Sequence, residues 1–61
     1  MTHSQRADAR ADMAAYVYSH PLTTATQLAE YAALEQNHDE WLDDPDHEIW
    51  HLALEFVNDG E

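Results

Sequence analysis

Two prolines divide this chain into three segments, each rich in residues that favour a helix. Proline fixes its own backbone angle and disfavours helical geometry in the residue before it, so Pro21 ends a first helix. Pro45 follows a pair of aspartates, and proline is well tolerated at the first position of a helix. The sequence therefore predicts three helices, over about residues 5–19, 24–42 and 45–58.

Polar residues at the predicted helix ends support this division. Ser4 is available as the N-cap of the first helix. Thr24 and Gln27 fit a capping box, in which the two side chains satisfy backbone donors reciprocally. Asp44 is the predicted N-cap of the third helix, and the Asn58–Gly60 segment supplies its C-terminal stop.

Apolar residues recur at helical spacing in all three segments, and no alternating strand pattern is visible. In the third segment they cover most of the circumference, so we expect this helix to be the most buried. The stripes of the first two helices comprise Ala9, Met13, Tyr16 and Val17, and then Leu28, Tyr31, Leu34, His38 and Trp41. The predicted fold is an all-α, compact three-helix bundle in which residues 1–61 form a single small acidic domain.

Size limits this core. A chain of 61 residues lies near the lower limit for burying its own core, and without cysteine no disulfide supplements it. We expect Trp41 and Trp50 to close the second and third helices against each other; the alternative is that one of them is an exposed interface anchor. No apolar run could span a bilayer and no secretory signal is present, so we infer a soluble, cytoplasmic protein.

Negative charge is concentrated in the second half of the chain. Thirteen acids face two arginines, Arg6 and Arg10, which we interpret as solvated surface charges. Residues 1–29 contain both arginines and two of the acids, whereas residues 30–61 contain the other eleven acids and no cation other than histidine. Nucleic acids and anionic membranes are bound through cationic side chains. We therefore expect neither as a direct partner, and instead a basic protein.

The Leu22–Leu34 segment resembles the opening of helix-turn-helix modules in bacterial regulators, in which a Thr-capped helix carrying Gln-Leu-Ala precedes a turn. The resemblance implies DNA binding by the helix that follows. Here the usual turn glycine is absent and the next residues, Glu35–Glu40, are acidic, so they could not settle against phosphates. We interpret the segment as ordinary helix capping.

The His47–His51 pentapeptide matches the His-Glu-x-x-His pattern of zinc peptidases, in which two histidines one helical turn apart share a metal. Only ten residues follow it, too few to build a substrate cleft. We therefore predict that the protein is not an enzyme and that it has no catalytic residue, no resident metal and no cofactor. A non-catalytic metal site at His47, His51 and Glu55, with His38 or Asp39 as an additional ligand, stays open as an alternative.

The main functional feature of the sequence is a run of seven carboxylates with no cation to pair with. Such a run destabilises an isolated fold by mutual repulsion. One interpretation is that the run serves solubility or adaptation to a high-salt cytoplasm, but a salt-adapted surface should be acidic throughout and the first half of the chain is neutral. The other is that carboxylates spaced along helices imitate the phosphate rows of a duplex. The predicted partner-binding residues are Glu35, Asp39, Glu40, Asp43, Asp44, Asp46 and Glu48.

In size and charge the chain resembles the anti-CRISPR and anti-restriction proteins of phages and mobile elements. The resemblance implies an acidic inhibitor that occupies the basic, nucleic-acid-binding surface of a partner as a DNA mimic. The sequence leaves open whether the protein is a monomer or a homodimer. Besides the histidine-based metal site, an acid-rich module that homodimerises through its apolar third helix remains an alternative.

Overall fold

The computed structural model describes residues 1–57 and contains three α-helices: α1 His3–Ser19, α2 Ala25–Glu35 and α3 Glu48–Val57. A short 3₁₀ helix, Asp39–Asp43, lies between α2 and α3. The described part of the chain has no strand. The predicted all-α three-helix bundle is confirmed, and the predicted stop at Asn58–Gly60 lies outside the described residues.

α1 begins two residues before the predicted start. Thr2, not Ser4, is its N-cap, and it forms a capping box with Gln5: Gln5 N donates to Thr2 Oγ1 at 3.1 Å and Thr2 N donates to Gln5 Oε1 at 2.8 Å. A capping box satisfies two backbone donors at once, whereas Ser4 has no glutamine or glutamate three residues later. The prediction of Ser4 as the cap is therefore wrong.

α2 begins as predicted and ends seven residues early. Thr24 and Gln27 form the predicted capping box, with Gln27 N donating to Thr24 Oγ1 at 3.2 Å. The helix stops at Glu35 because Asn37 adopts the left-handed conformation, with φ at 59°. The next amide, His38 N, donates back to Ala33 O at 2.9 Å, as in a Schellman motif. Asparagine tolerates this conformation better than most residues do, which allows the helix to end here. The predicted continuation of α2 to residue 42 is therefore wrong.

α3 begins at Glu48, three residues after the predicted start. Asp44 does not cap it; its side chain accepts from Asp46 N at 2.9 Å and so stabilises a turn that contains Pro45. The turn continues with His47 N donating to Asp44 O at 3.1 Å. Because the aspartate side chain is used within the turn, the helix needs another acceptor at its start.

The core lies where the three helices meet and is built largely from small residues. Its members are Ala9, Met13, Leu28, Ala29, Ala32, Ala33, Trp41, Ile49, Leu52 and Ala53. Alanines on α2 let its neighbours approach closely, whereas the predicted stripe residue Leu34 is 60% exposed. The stripe prediction for α2 is thus correct for Leu28 and wrong for Leu34, because it followed large apolar side chains and overlooked alanine.

The two tryptophans are positioned as anchors. Trp41 is only 7% exposed and belongs to the core, as predicted. Trp50 is half-buried against the core, and its indole Nε1 donates to Asp44 O at 2.9 Å, which holds α3 to the preceding turn. None of the helices in residues 1–57 combines the length and hydrophobicity needed to cross a bilayer.

Candidate acidic interaction surface

α1 carries its arginines and its aspartates on different sides. In a helix, residues four apart lie on one stripe, so Arg6 and Arg10 form one stripe and Asp8 and Asp12 form another. Around the circumference of α1, the core residues Ala9 and Met13 lie between these two stripes. The neutral sum of residues 1–29 therefore conceals two stripes of opposite charge.

The arginine stripe faces α3. Arg6 makes two hydrogen bonds to Glu48, from Nε to Oε2 and from Nη2 to Oε1, the latter at 3.2 Å. Arg10 Nη2 lies 3.5 Å from Glu55 Oε2. The hydrogen bond from Arg6 lowers the pKa of Glu48, and the charge of Arg6 adds to this effect. Both arginines thus face carboxylates of α3; our interpretation of them as solvated surface charges is wrong for Arg6, which is partly buried, whereas Arg10 is exposed.

The aspartate stripe faces the end of α2. Asp12 is partly buried, which raises its pKa, and the negative charges of Glu35 and Asp8 raise it further. Tyr31, one turn before Glu35, also has a raised pKa, caused first by the charge of Glu35 and then by burial, Asp12 and Tyr16. These shifts show like charges held together without a cation.

The predicted partner-binding residues separate into two groups. Glu35 ends α2, and Asp39, Glu40, Asp43, Asp44 and Asp46 are all exposed on the connection from α2 to α3. Glu48 differs, because it is half-buried and paired with Arg6. The statement that this run has no cationic partner is therefore wrong for Glu48, which the fold uses for an internal ion pair.

Glu40 is also engaged. Its Oε2 lies 2.8 Å from Nδ1 of His38, and this hydrogen bond is the main cause of the lowered pKa of Glu40. The carboxylates of α1, of the end of α2 and of the α2–α3 connection that have no arginine or histidine partner form what we call the acidic surface. Its members are Asp8, Asp12, Glu35, Asp39, Asp43, Asp44 and Asp46.

Sequence reasoning missed Asp8 and Asp12 because it summed charge along the chain. The signal that could have found them is their spacing of four residues, offset by two from the arginines, which places them on another side of α1. Which neighbouring helix each side meets depends on how the three helices pack. That information is not contained in the local sequence.

The His47–His51 pentapeptide lacks the geometry of a metal site. His47 precedes the first residue of α3, and its Nδ1 accepts from Ile49 N at 3.0 Å. Glu48 and Glu55 are held by the two arginines. Within residues 1–57, no three His, Asp or Glu side chains are grouped so that they could hold a metal ion, and no pocket is present.

Comparison of the chain with protein-family models, with curated proteins and with solved structures finds no match to any of them.

Proposed function

We propose that this protein is an acidic inhibitor that binds the basic, nucleic-acid-binding surface of a partner protein and so acts as a DNA mimic. The observation that carries the proposal is the sorting of charge by the fold. Both arginines pair with α3, while Asp8 and Asp12 join Glu35. The acidic surface is thereby left without arginine.

Electrostatics explains why such a surface suits a nucleic-acid-binding partner. Duplex DNA presents about one negative charge per 1.7 Å of helix axis, and proteins that bind it neutralise these charges with lysine and arginine. A rigid body that presents grouped carboxylates meets the same cationic side chains. Complementary charge of this kind mainly accelerates association and selects the partner, so binding should weaken as salt rises.

The rest of the surface is compatible with this role. Glu35 is fixed at the end of α2 by the Schellman motif, and Asp44 is fixed by its hydrogen bond to Asp46 N. Carboxylates on ordered backbone lose less entropy on binding than carboxylates on a disordered tail. We propose that the protein acts in the cytoplasm as an inhibitor of the phage anti-CRISPR or anti-restriction type, and that its targets there are proteins that process nucleic acids.

A capture experiment tests the proposal. Immobilised protein is exposed to lysate of a bacterium with restriction and CRISPR systems at about 0.05 M and 0.5 M salt, and captured proteins are purified separately. We expect a basic nucleic-acid-binding protein that is retained only at low salt. Fluorescence anisotropy with labelled duplex DNA then measures whether the acidic protein displaces DNA from it.

Matched variants assign the effect to the acidic surface. The triple variant Asp39→Asn, Asp43→Asn and Asp46→Asn should weaken displacement about tenfold or more, on the order of 1.4 kcal/mol. The control variant Ala7→Lys, Ala14→Lys and Glu30→Gln changes net charge by the same amount at exposed positions away from the acidic surface. Equal weakening by both variants, or capture without loss of DNA binding, would refute the proposal.

A further inference from the structure

His47 stands immediately before α3 and accepts a hydrogen bond at the helix start. Its Nδ1 lies 3.0 Å from Ile49 N, and a backbone N–H can only donate. Nδ1 therefore contributes a lone pair, and the proton of the neutral ring is on Nε2. The first amides of a helix lack partners within the helix, so this contact is a side-chain cap made by an imidazole.

The same ring also packs against the core. It stacks with the indole of Trp41, with ring centroids 5.4 Å apart and an interplanar angle of 18°. His38 stacks with this indole as well, at 4.6 Å and 14°. Because Trp41 is in the 3₁₀ helix and His47 caps α3, the ring of His47 joins these two elements.

We propose that His47 is a pH-sensitive cap, whose neutral ring holds the first turn of α3 against the 3₁₀ helix and whose protonation releases both contacts. Protonation places a hydrogen on Nδ1 and makes both ring nitrogens donors. Two donors then face each other at the position of the present hydrogen bond. The ring must rotate, which leaves Ile49 N without its acceptor and alters the stack on Trp41.

Carboxylates around His47 provide an alternative for the protonated ring. Glu40 on the 3₁₀ helix and Glu48 on α3 lie close enough to His47 that a positive charge on its ring would lower the pKa of both carboxyls. From the side of α1, the charges of Arg6 and the amino terminus act on Glu48, and Glu40 is shared with His38. Protonation therefore exchanges a backbone cap for attraction to Glu40 and Glu48.

The expected change is local. Histidine is the side chain whose ordinary change of charge falls between about pH 5 and 8, so the test is made across this range. The buried residues Met13, Leu28 and Leu52 are not in the first turn of α3, and they keep the helices together. The start of α3 and the 3₁₀ helix loosen, while the bundle remains folded.

Nuclear magnetic resonance on the wild-type protein tests this. Between pH 7.5 and 5, we expect the Ile49 amide and the Trp41 indole resonances to shift with the same midpoint as the His47 ring. The protection factor of the Ile49 amide, corrected for the intrinsic exchange rate, should fall about 2- to 30-fold, as expected for the loss of an N-cap. An Ile49 amide that ignores the titration of His47 would overturn the proposal.

Two variants separate this from a general effect of acid. His47→Asn places a favoured N-cap residue whose acceptor does not titrate, so the pH dependence of Ile49 protection should disappear. His51→Asn removes the exposed histidine of α3 and should leave the pH dependence of Ile49 protection unchanged. Retention of the transition in His47→Asn would also overturn the proposal. If that variant does not fold, the wild-type titration decides alone.

Discussion

The two sides of α1 have opposite charge and opposite surroundings. On one side, Arg6 and Arg10 meet Glu48 and Glu55 of α3. On the other, Asp12 meets Glu35 and Asp8, and its pKa is raised. Net charge summed along a sequence therefore does not locate an electrostatic surface, because one side of a helix can neutralise the charges of one neighbour while the other side repels those of another.

The first prediction tests whether the buried face of α1 contributes more to stability than its two charged sides. Met13 lies between them and is fully buried. Met13→Ala should destabilise the protein by about 2–5 kcal/mol, since it removes buried contacts and leaves a cavity. In so small a domain this is comparable to the whole stability, so urea denaturation should show a largely unfolded protein. A loss below that of the charge variants would mean that the ion pairs, not the core, hold α1 in place.

The second prediction compares the two ion pairs. Arg6→Glu places a carboxylate against partly buried Glu48, and we expect the melting temperature to fall by on the order of 5 °C. Arg10→Glu is the matched control, because Arg10 and Glu55 are more exposed and make a single contact at 3.5 Å. Thermal denaturation followed by circular dichroism should show the smaller change for Arg10→Glu. Equal changes would contradict the assignment of Arg6 as the principal link between α1 and α3.

The third prediction concerns the repulsive side. Asp12→Asn removes one of three like charges and should stabilise the protein by about 0.5 kcal/mol, a small value because solvent screens this partly exposed site. Glu30→Gln is the control, since Glu30 is exposed on α2 and does not contribute to the raised pKa of Asp12. Urea denaturation at low salt measures both. Destabilisation by Asp12→Asn would show that this carboxylate has a favourable partner.

The smallest effects are those of pH on these differences. The pKa of Asp12 is raised above 3.8, so its ionised form destabilises the fold at neutral pH, and this penalty disappears as pH falls through the raised value. The pKa of Glu48 is lowered below 4.5, so it contributes stability above 4.5 that is lost as pH falls through the lowered value.

The free energy of unfolding, measured from pH 7 to pH 3, should therefore differ less and less between the wild type and each of two variants, Asp12→Asn and Glu48→Gln. The two differences have opposite signs. At neutral pH, Asp12→Asn should be more stable than the wild type and Glu48→Gln less stable. On acidification the advantage of Asp12→Asn should disappear as Asp12 becomes protonated, and the deficit of Glu48→Gln should disappear as Glu48 becomes protonated. A difference that persisted unchanged to acid pH would indicate that the substitution acts through packing and not through charge.

The two connections between helices show how far the sequence could predict the fold. The α1–α2 connection was predicted correctly, because Pro21 and the Thr24 capping box are local signals. The α2–α3 connection was not, since Asn37, a 3₁₀ helix and an Asx turn replace the continuous helix that the spacing of Leu34, His38 and Trp41 suggested. Trp41 is buried as expected, but it lies in the 3₁₀ helix and not in α2.

The candidate site was predicted in part for the same reason. The exposed carboxylates Asp39, Asp43, Asp44 and Asp46 lie on the surface, as an acidic run in a short chain must. The role of Glu48 and the membership of Asp8 and Asp12 required knowledge of which helices are neighbours. A charge acts through space over several ångströms, so its partners depend on packing rather than on chain order.

Local backbone preferences and composition were enough to predict the number of α-helices, the cap of α2 and the large excess of negative charge. Packing was needed to establish where α2 ends, which residue caps α3 and which carboxylates are neutralised. Those outcomes depend on contacts between residues far apart in the chain, such as Arg6 with Glu48 and His47 with Trp41.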